Sequence, residues 1–76
     1  MEFEKIRSII AEQLSIDESK ITEKTTFIED LGADSLDLFQ IISEIEDAFE
    51  LEFTNEAAER VKTVGDAVAY IRLLSE

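Results

Sequence analysis

Leu38, Ile41, Ile42, Ile45 and Phe49 recur at the i, i+3, i+4, i+7, i+11 spacing that gathers apolar side chains on one side of an α-helix. The same period runs through Phe3, Ile6, Ile10 and Leu14, with Ile9 at the edge, and predicts a first helix over about residues 2–14. Glu2 and Glu4 suit its positive N-terminal end. Val64, Ala67, Val68, Ile71 and Leu74 mark a last helix behind a Thr63-Val64-Gly65-Asp66 capping box. Asn55 or Thr54 caps a short third helix that ends near Arg60. No segment alternates apolar and polar residues as a strand does, and no Asn-Gly hairpin turn occurs. The expected fold is all-α: a small helical bundle of three main helices plus one short helix.

With 76 residues the chain is expected to form one domain, 1–76, that buries only about 60% of its unfolded surface. It has no cysteine and no histidine, which removes disulfides, Cys/His metal sites and the usual base for a catalytic serine. Stability must come from one packed core, and a 45% hydrophobic composition can supply it. No apolar run approaches the roughly 20 residues of a membrane span, so membrane insertion is not expected. The opening Met1-Glu2-Phe3-Glu4 lacks the features of a signal peptide, and the expected location is cytoplasmic.

Between the first two helices lies a connection of about 20 residues, 15–34, a length uncommon in compact domains unless it serves function. Ile16, Ile21, Phe27, Ile28 and Leu31 can anchor it to the bundle, which lets the flanking helices run antiparallel. Gly32 supplies a backbone conformation that a side chain would hinder. The loop then delivers Ser35 to the start of the second helix, where Asp34 and Asp37 can form a capping box and backbone N–H groups tolerate an anion.

The net charge is −12, and its distribution says more than its size. All seven bases lie at or before Lys24 or at or after Arg60, while residues 25–59 carry eleven acids. Such a surface excludes nucleic acid and anionic membrane as partners and favours basic proteins. The acids lack the spacing of a calcium-binding loop, so no metal site is expected. Leu36 and Phe39 fall on the outer, otherwise polar face of the second helix, within a turn of Ser35. An apolar centre with an acidic rim is the pattern of a docking face. A serine without a base beside it is a residue to be modified, and the chain is not expected to be an enzyme.

The run Asp30-Leu31-Gly32-Ala33-Asp34-Ser35-Leu36-Asp37, followed by an acidic amphipathic helix, resembles the acyl carrier proteins of dissociated (type II) fatty acid synthesis. The resemblance covers essentially the whole chain, including Glu46-Asp47-Ala48-Phe49, Glu56-Ala57-Ala58-Glu59, Thr63-Val64 and Ala69-Tyr70-Ile71. It implies that Ser35 carries a covalent 4′-phosphopantetheine, transferred from coenzyme A by a separate Mg²⁺-dependent transferase, whose thiol holds acyl groups as thioesters. It also implies a recognition face of Asp34, Leu36, Asp37, Phe39, Glu46, Asp47 and Glu59. Its partners would be the phosphopantetheinyl transferase (holo-carrier synthase), malonyl transferase, ketosynthases, ketoreductase, dehydratase, enoyl reductase and acyltransferases, met by a monomer. The acyl chain would be lined by Phe27, Ile28, Leu38, Ile45, Phe53, Ala58, Val61, Ala67 and Tyr70, residues that equally serve as the core of a small bundle.

The chain departs from the family pattern at several places. Gln40 stands where Glu is common, Asn55 where Asp is, and Thr54 where Pro is frequent. Phe39 and Ser43 replace what are often Val and Met, and Leu38 and Phe53 are bulkier than the usual Thr and Ile. These departures bear on partner set and chain length. The alternatives are a carrier specialised for polyketide or aminoacyl groups, or an unmodified acidic adaptor that binds basic partners through the second helix.

Overall fold

The structure, a computed structural model, describes residues 2–75, so Met1 and Glu76 of the expected domain lie outside the described residues. Four α-helices follow one another: α1 (Glu2–Leu14), α2 (Ser35–Phe49), α3 (Asn55–Arg60) and α4 (Val64–Ser75), with a 3₁₀ turn at Glu18–Lys20. No strand occurs among the described residues, which agrees with the all-α expectation.

The apolar stripes meet in one core. Ile6 and Ile10 of α1, Ile41 and Ile45 of α2, and Val64, Ala67, Val68 and Ile71 of α4 are each no more than 1% exposed. Each buried isoleucine contributes roughly 1.5–3 kcal/mol, which makes this stripe the main source of stability in a chain without cross-links. Polar contacts give the helix directions. Gln13 Nε2 donates to Gln40 Oε1 at 2.6 Å, joining the end of α1 to the first half of α2. At the other end Lys5 Nζ donates to the Ala48 carbonyl at 3.3 Å and lies 5.2 Å from the Phe49 ring centroid. The two helices are therefore antiparallel, as the loop length implied. Arg72 near the end of α4 pairs with Glu2 at the start of α1, 3.2 Å apart, so α4 is antiparallel to α1 as well.

Both α1 and α2 stop without glycine. Ser15 (φ 57°) and Glu50 (φ 56°) take the left-handed conformation, and the residue after each, Ile16 or Leu51, donates back to the carbonyl of Ala11 or Glu46. This is the Schellman arrangement built on residues with a Cβ. The α4 box forms as expected: Asp66 N donates to Thr63 Oγ1 at 3.1 Å, and Asp66 Oδ2 accepts from Thr63 N and Lys62 N. Those two amides hold the Asp66 carboxyl below the ordinary aspartate range. Thr54, rather than Asn55, caps α3 through Ala57 N.

The long loop is fastened rather than free. Ile21 and Phe27 are buried, and residues 25–27 pair with 62–64 through Phe27 N to the Lys62 carbonyl (3.1 Å) and Val64 N to the Thr25 carbonyl (2.9 Å). Two expectations fail. Ile28 is 59% exposed, because the turn closed by reciprocal bonds between Thr26 and Asp30 sends Phe27 inward and its neighbour outward. Leu74 is 38% exposed, because the core ends one turn earlier, at Ile71.

Candidate functional site

The loop reaches α2 through a left-handed Gly32 (φ 69°). Nothing lies within 4 Å of where a Cβ would stand there, so backbone conformation alone, and not space, asks for glycine. Buried Ala33, whose N–H donates to the Phe27 carbonyl at 3.0 Å, fixes the next step. Asp34 is the N-cap: its Oδ1 accepts from Asp37 N at 2.9 Å, and Asp37 Oδ2 accepts from Asp34 N at 3.4 Å. Ser35 is thereby the first residue of the helix, exposed, and lies between the two carboxylates of the capping box.

Beside Ser35 the molecule opens into a groove of about 500 Å³. Its apolar walls come from Phe27 and Ile28 of the loop, Leu38, Phe39 and Ile42 of α2, and Ala58 and Val61 at and after α3. Ser35 itself lines it, with Thr26, Glu29, Glu59 and Lys62 as the polar members. A hydroxyl on a helix's first turn thus shares one concavity with seven apolar side chains from three parts of the chain. Such a site can hold a group covalently at one point and shelter an oily tail beside it. Among the described residues no cluster of three or more acids is arranged to hold a metal ion.

The model of the phosphopantetheine attachment site family matches residues 4–71. The acyl carrier protein of Clostridium acetobutylicum is 49% identical over all 76 residues of this chain and 99% of its own length. The chain belongs to the acyl carrier protein family. Among solved structures, one described as an acyl carrier protein from Mycobacterium tuberculosis superposes with a TM-score of 0.91 at 36% identity, covering 97% of this chain and 99% of that one. The acyl carrier protein from Enterococcus faecalis gives 0.78 at 36% identity, with 92% and 89% covered. Membership makes this chain a carrier of covalent 4′-phosphopantetheine and not a catalyst. Acyl carrier proteins work with a phosphopantetheinyl transferase and with the enzymes of fatty acid synthesis. No described helix is long and apolar enough to cross a membrane.

The residues present fit that prosthetic group, since an exposed serine and an apolar groove meet at one helix terminus. Of the residues expected to line an acyl chain, Phe27, Ile28, Leu38, Ala58 and Val61 do line the groove. Ile45 and Ala67 do not: both are wholly buried in the helix core. Phe53 packs against Tyr70, ring centroids 4.6 Å apart, and Tyr70 lines a different groove with Thr54 and Leu73. Ile42 and Phe39 were not expected as lining. Ile42 sits at the margin of the buried stripe, 5% exposed and lining the groove, a position visible on the helical wheel.

Around the groove, Leu36 (65%) and Phe39 (61%) are exposed, as the docking-face pattern requires. Asp34, Asp47 and Glu59 are exposed too. Asp37 and Glu46 are half-buried, and each accepts through one carboxylate oxygen from a backbone N–H, that of Asp34 and of Phe53 respectively.

Proposed function

We propose that Ser35 is the attachment point of the 4′-phosphopantetheine and that the groove beside it shelters the acyl chain. The observation that carries this reading is the shared concavity: Ser35 lines the same groove as Phe27, Leu38, Ile42 and Val61. The chain acts as an acyl carrier in fatty acid synthesis. Ser35 Oγ forms the phosphodiester when the transferase presents coenzyme A, and adenosine 3′,5′-bisphosphate leaves. The bound arm supplies a terminal thiol for thioester chemistry, which a chain without cysteine cannot provide. The N–H groups of the first turn of α2 favour the phosphodiester's charge, while the Asp34 and Asp37 carboxylates oppose it and keep the arm off the surface.

Leu36 and Phe39 make the apolar contact with the synthase enzymes, and Asp34, Asp47 and Glu59 meet their arginines and lysines. Each exposed ion pair contributes little by itself. Several together give rapid, weak, salt-sensitive binding, which suits a monomeric cytoplasmic shuttle that passes among malonyl transferase, ketosynthases, reductases and dehydratase. The test is malonyl transfer from malonyl-CoA by a purified malonyl transferase to protein pre-treated with coenzyme A and a phosphopantetheinyl transferase. Wild type becomes malonylated. Ser35→Ala, with an unchanged circular dichroism spectrum, stays unlabelled; labelling of that variant at the wild-type level overturns the proposal.

A further inference from the structure

Glu46 gathers an unusual share of the backbone that follows it. Its carbonyl accepts from Glu50 N and from Leu51 N, and its Oε2 accepts from Phe53 N at 2.7 Å. One residue thus closes the end of α2 and also holds the segment that leads into α3. That segment has few other hydrogen bonds to the rest of the fold. No residue of α3 is buried, and the helix has only six residues, too short to persist without tertiary support. Leu51 and Phe53 pack against the core, Phe53 also meets the Tyr70 ring, and the Glu46 carboxylate gives the segment its side-chain hydrogen bond back to α2. Yet Ala58 and Glu59 of α3, with Val61 just after it, form one wall of the groove.

We propose that the Glu46 carboxylate is a positioning group that latches α3 against the groove through the Phe53 N–H, so that its part in carriage is to keep the wall in place rather than to offer a free docking charge. A half-buried charged acceptor at 2.7 Å forms one of the stronger hydrogen bonds available to a chain. Asp47, one position on, is exposed and makes a fair control for charge alone. The consequence for cargo rests on the reading that the groove shelters the acyl chain; the latch itself does not.

The experiment pairs amide exchange on the unloaded full chain with hydroxylamine cleavage of an octanoyl thioester on the loaded one. In Glu46→Ala the Phe53 amide exchanges on the order of tenfold faster or more, and the thioester is cleaved faster than in wild type. Glu46→Gln removes the charge but keeps a side-chain acceptor, and both rates fall between those of wild type and Glu46→Ala. Asp47→Ala leaves both unchanged. Unaltered Phe53 exchange in Glu46→Ala, or Glu46→Gln as fast as Glu46→Ala, overturns the latch. A thioester protected as well in Glu46→Ala as in wild type, and in both better than free octanoyl-pantetheine, also overturns the positioning role. Faster Phe53 exchange with a wild-type thioester no better protected than free octanoyl-pantetheine supports the latch and overturns only the sheltering function.

Discussion

Glu50 holds a backbone of φ 56° and ψ 42° that its Cβ disfavours by roughly 1 kcal/mol or more. The bonds from Glu50 N and Leu51 N to the Glu46 carbonyl keep it there. Glycine adopts this conformation freely but loses more entropy on folding, which offsets part of the gain. The relief is the larger effect at a helix C′ position, so Glu50→Gly stabilises the chain by about 0.5 kcal/mol, measured as a shift in the urea midpoint; a lower midpoint would show that the strain is absent. The same residue explains what was legible at this scale. Gly32 announced its left-handed turn because it is glycine, whereas Ser15 and Glu50 occupy equivalent conformations with no local signal. Glu46 was hidden for a related reason. Its spacing on α2 assigns it to the outer face, and nothing in the sequence shows that Phe53 N–H returns to meet it.

The start of α4 is fixed from two directions. Asp66 and Thr63 cap it, and the first loop passes so close that a Cβ on Gly65 would lie 2.8 Å from the Glu23 carbonyl oxygen. Gly65 N donates to that same oxygen at 2.8 Å. Alanine would gain roughly 1 kcal/mol in helix propensity, but it must push backbone against backbone, and overpacking of this kind costs about 1–3 kcal/mol. Gly65→Ala therefore lowers the melting temperature and speeds exchange at the Val64 amide, which bonds to the Thr25 carbonyl. A higher melting temperature would mean that the loop yields freely. Helix existence was readable because the 3.6-residue period is written in the order of residues, and the capping boxes at Asp34 and Thr63 follow local spacing too. The pairing of residues 25–27 with 62–64 was not readable, since it joins segments distant in sequence through main-chain groups that every residue shares. The groove suffered likewise: which apolar residues fill the core and which line an opening depends on how elements meet, and Ile45 and Ile42 differ only in that.

Over the whole molecule the −12 charge is the dominant long-range term. The base-free stretch 25–59 spans α2 and all of α3 but its last residue, Arg60, and its acids repel one another across distances that salt screens, with a Debye length of roughly 30 Å at 0.01 M and 10 Å at 0.1 M. Raising sodium chloride from about 10 to about 200 mM, or adding millimolar Mg²⁺, should lift the melting temperature by about 5 °C, the effect of roughly 1 kcal/mol in so small a domain. An unchanged melting curve would show that the acids are too widely spaced to matter. In the function proposed above, the same charge draws basic partners to the second helix, and that reading turns on one hydroxyl, that of Ser35. The decisive measurement is the intact mass of the wild type and of Ser35→Ala before and after incubation with coenzyme A, Mg²⁺ and a broad-specificity phosphopantetheinyl transferase. A gain of one phosphopantetheine by wild type alone is the predicted result. No gain by folded, initially unmodified wild type, or an equal gain by Ser35→Ala, would contradict the assignment of Ser35 as the carrier site.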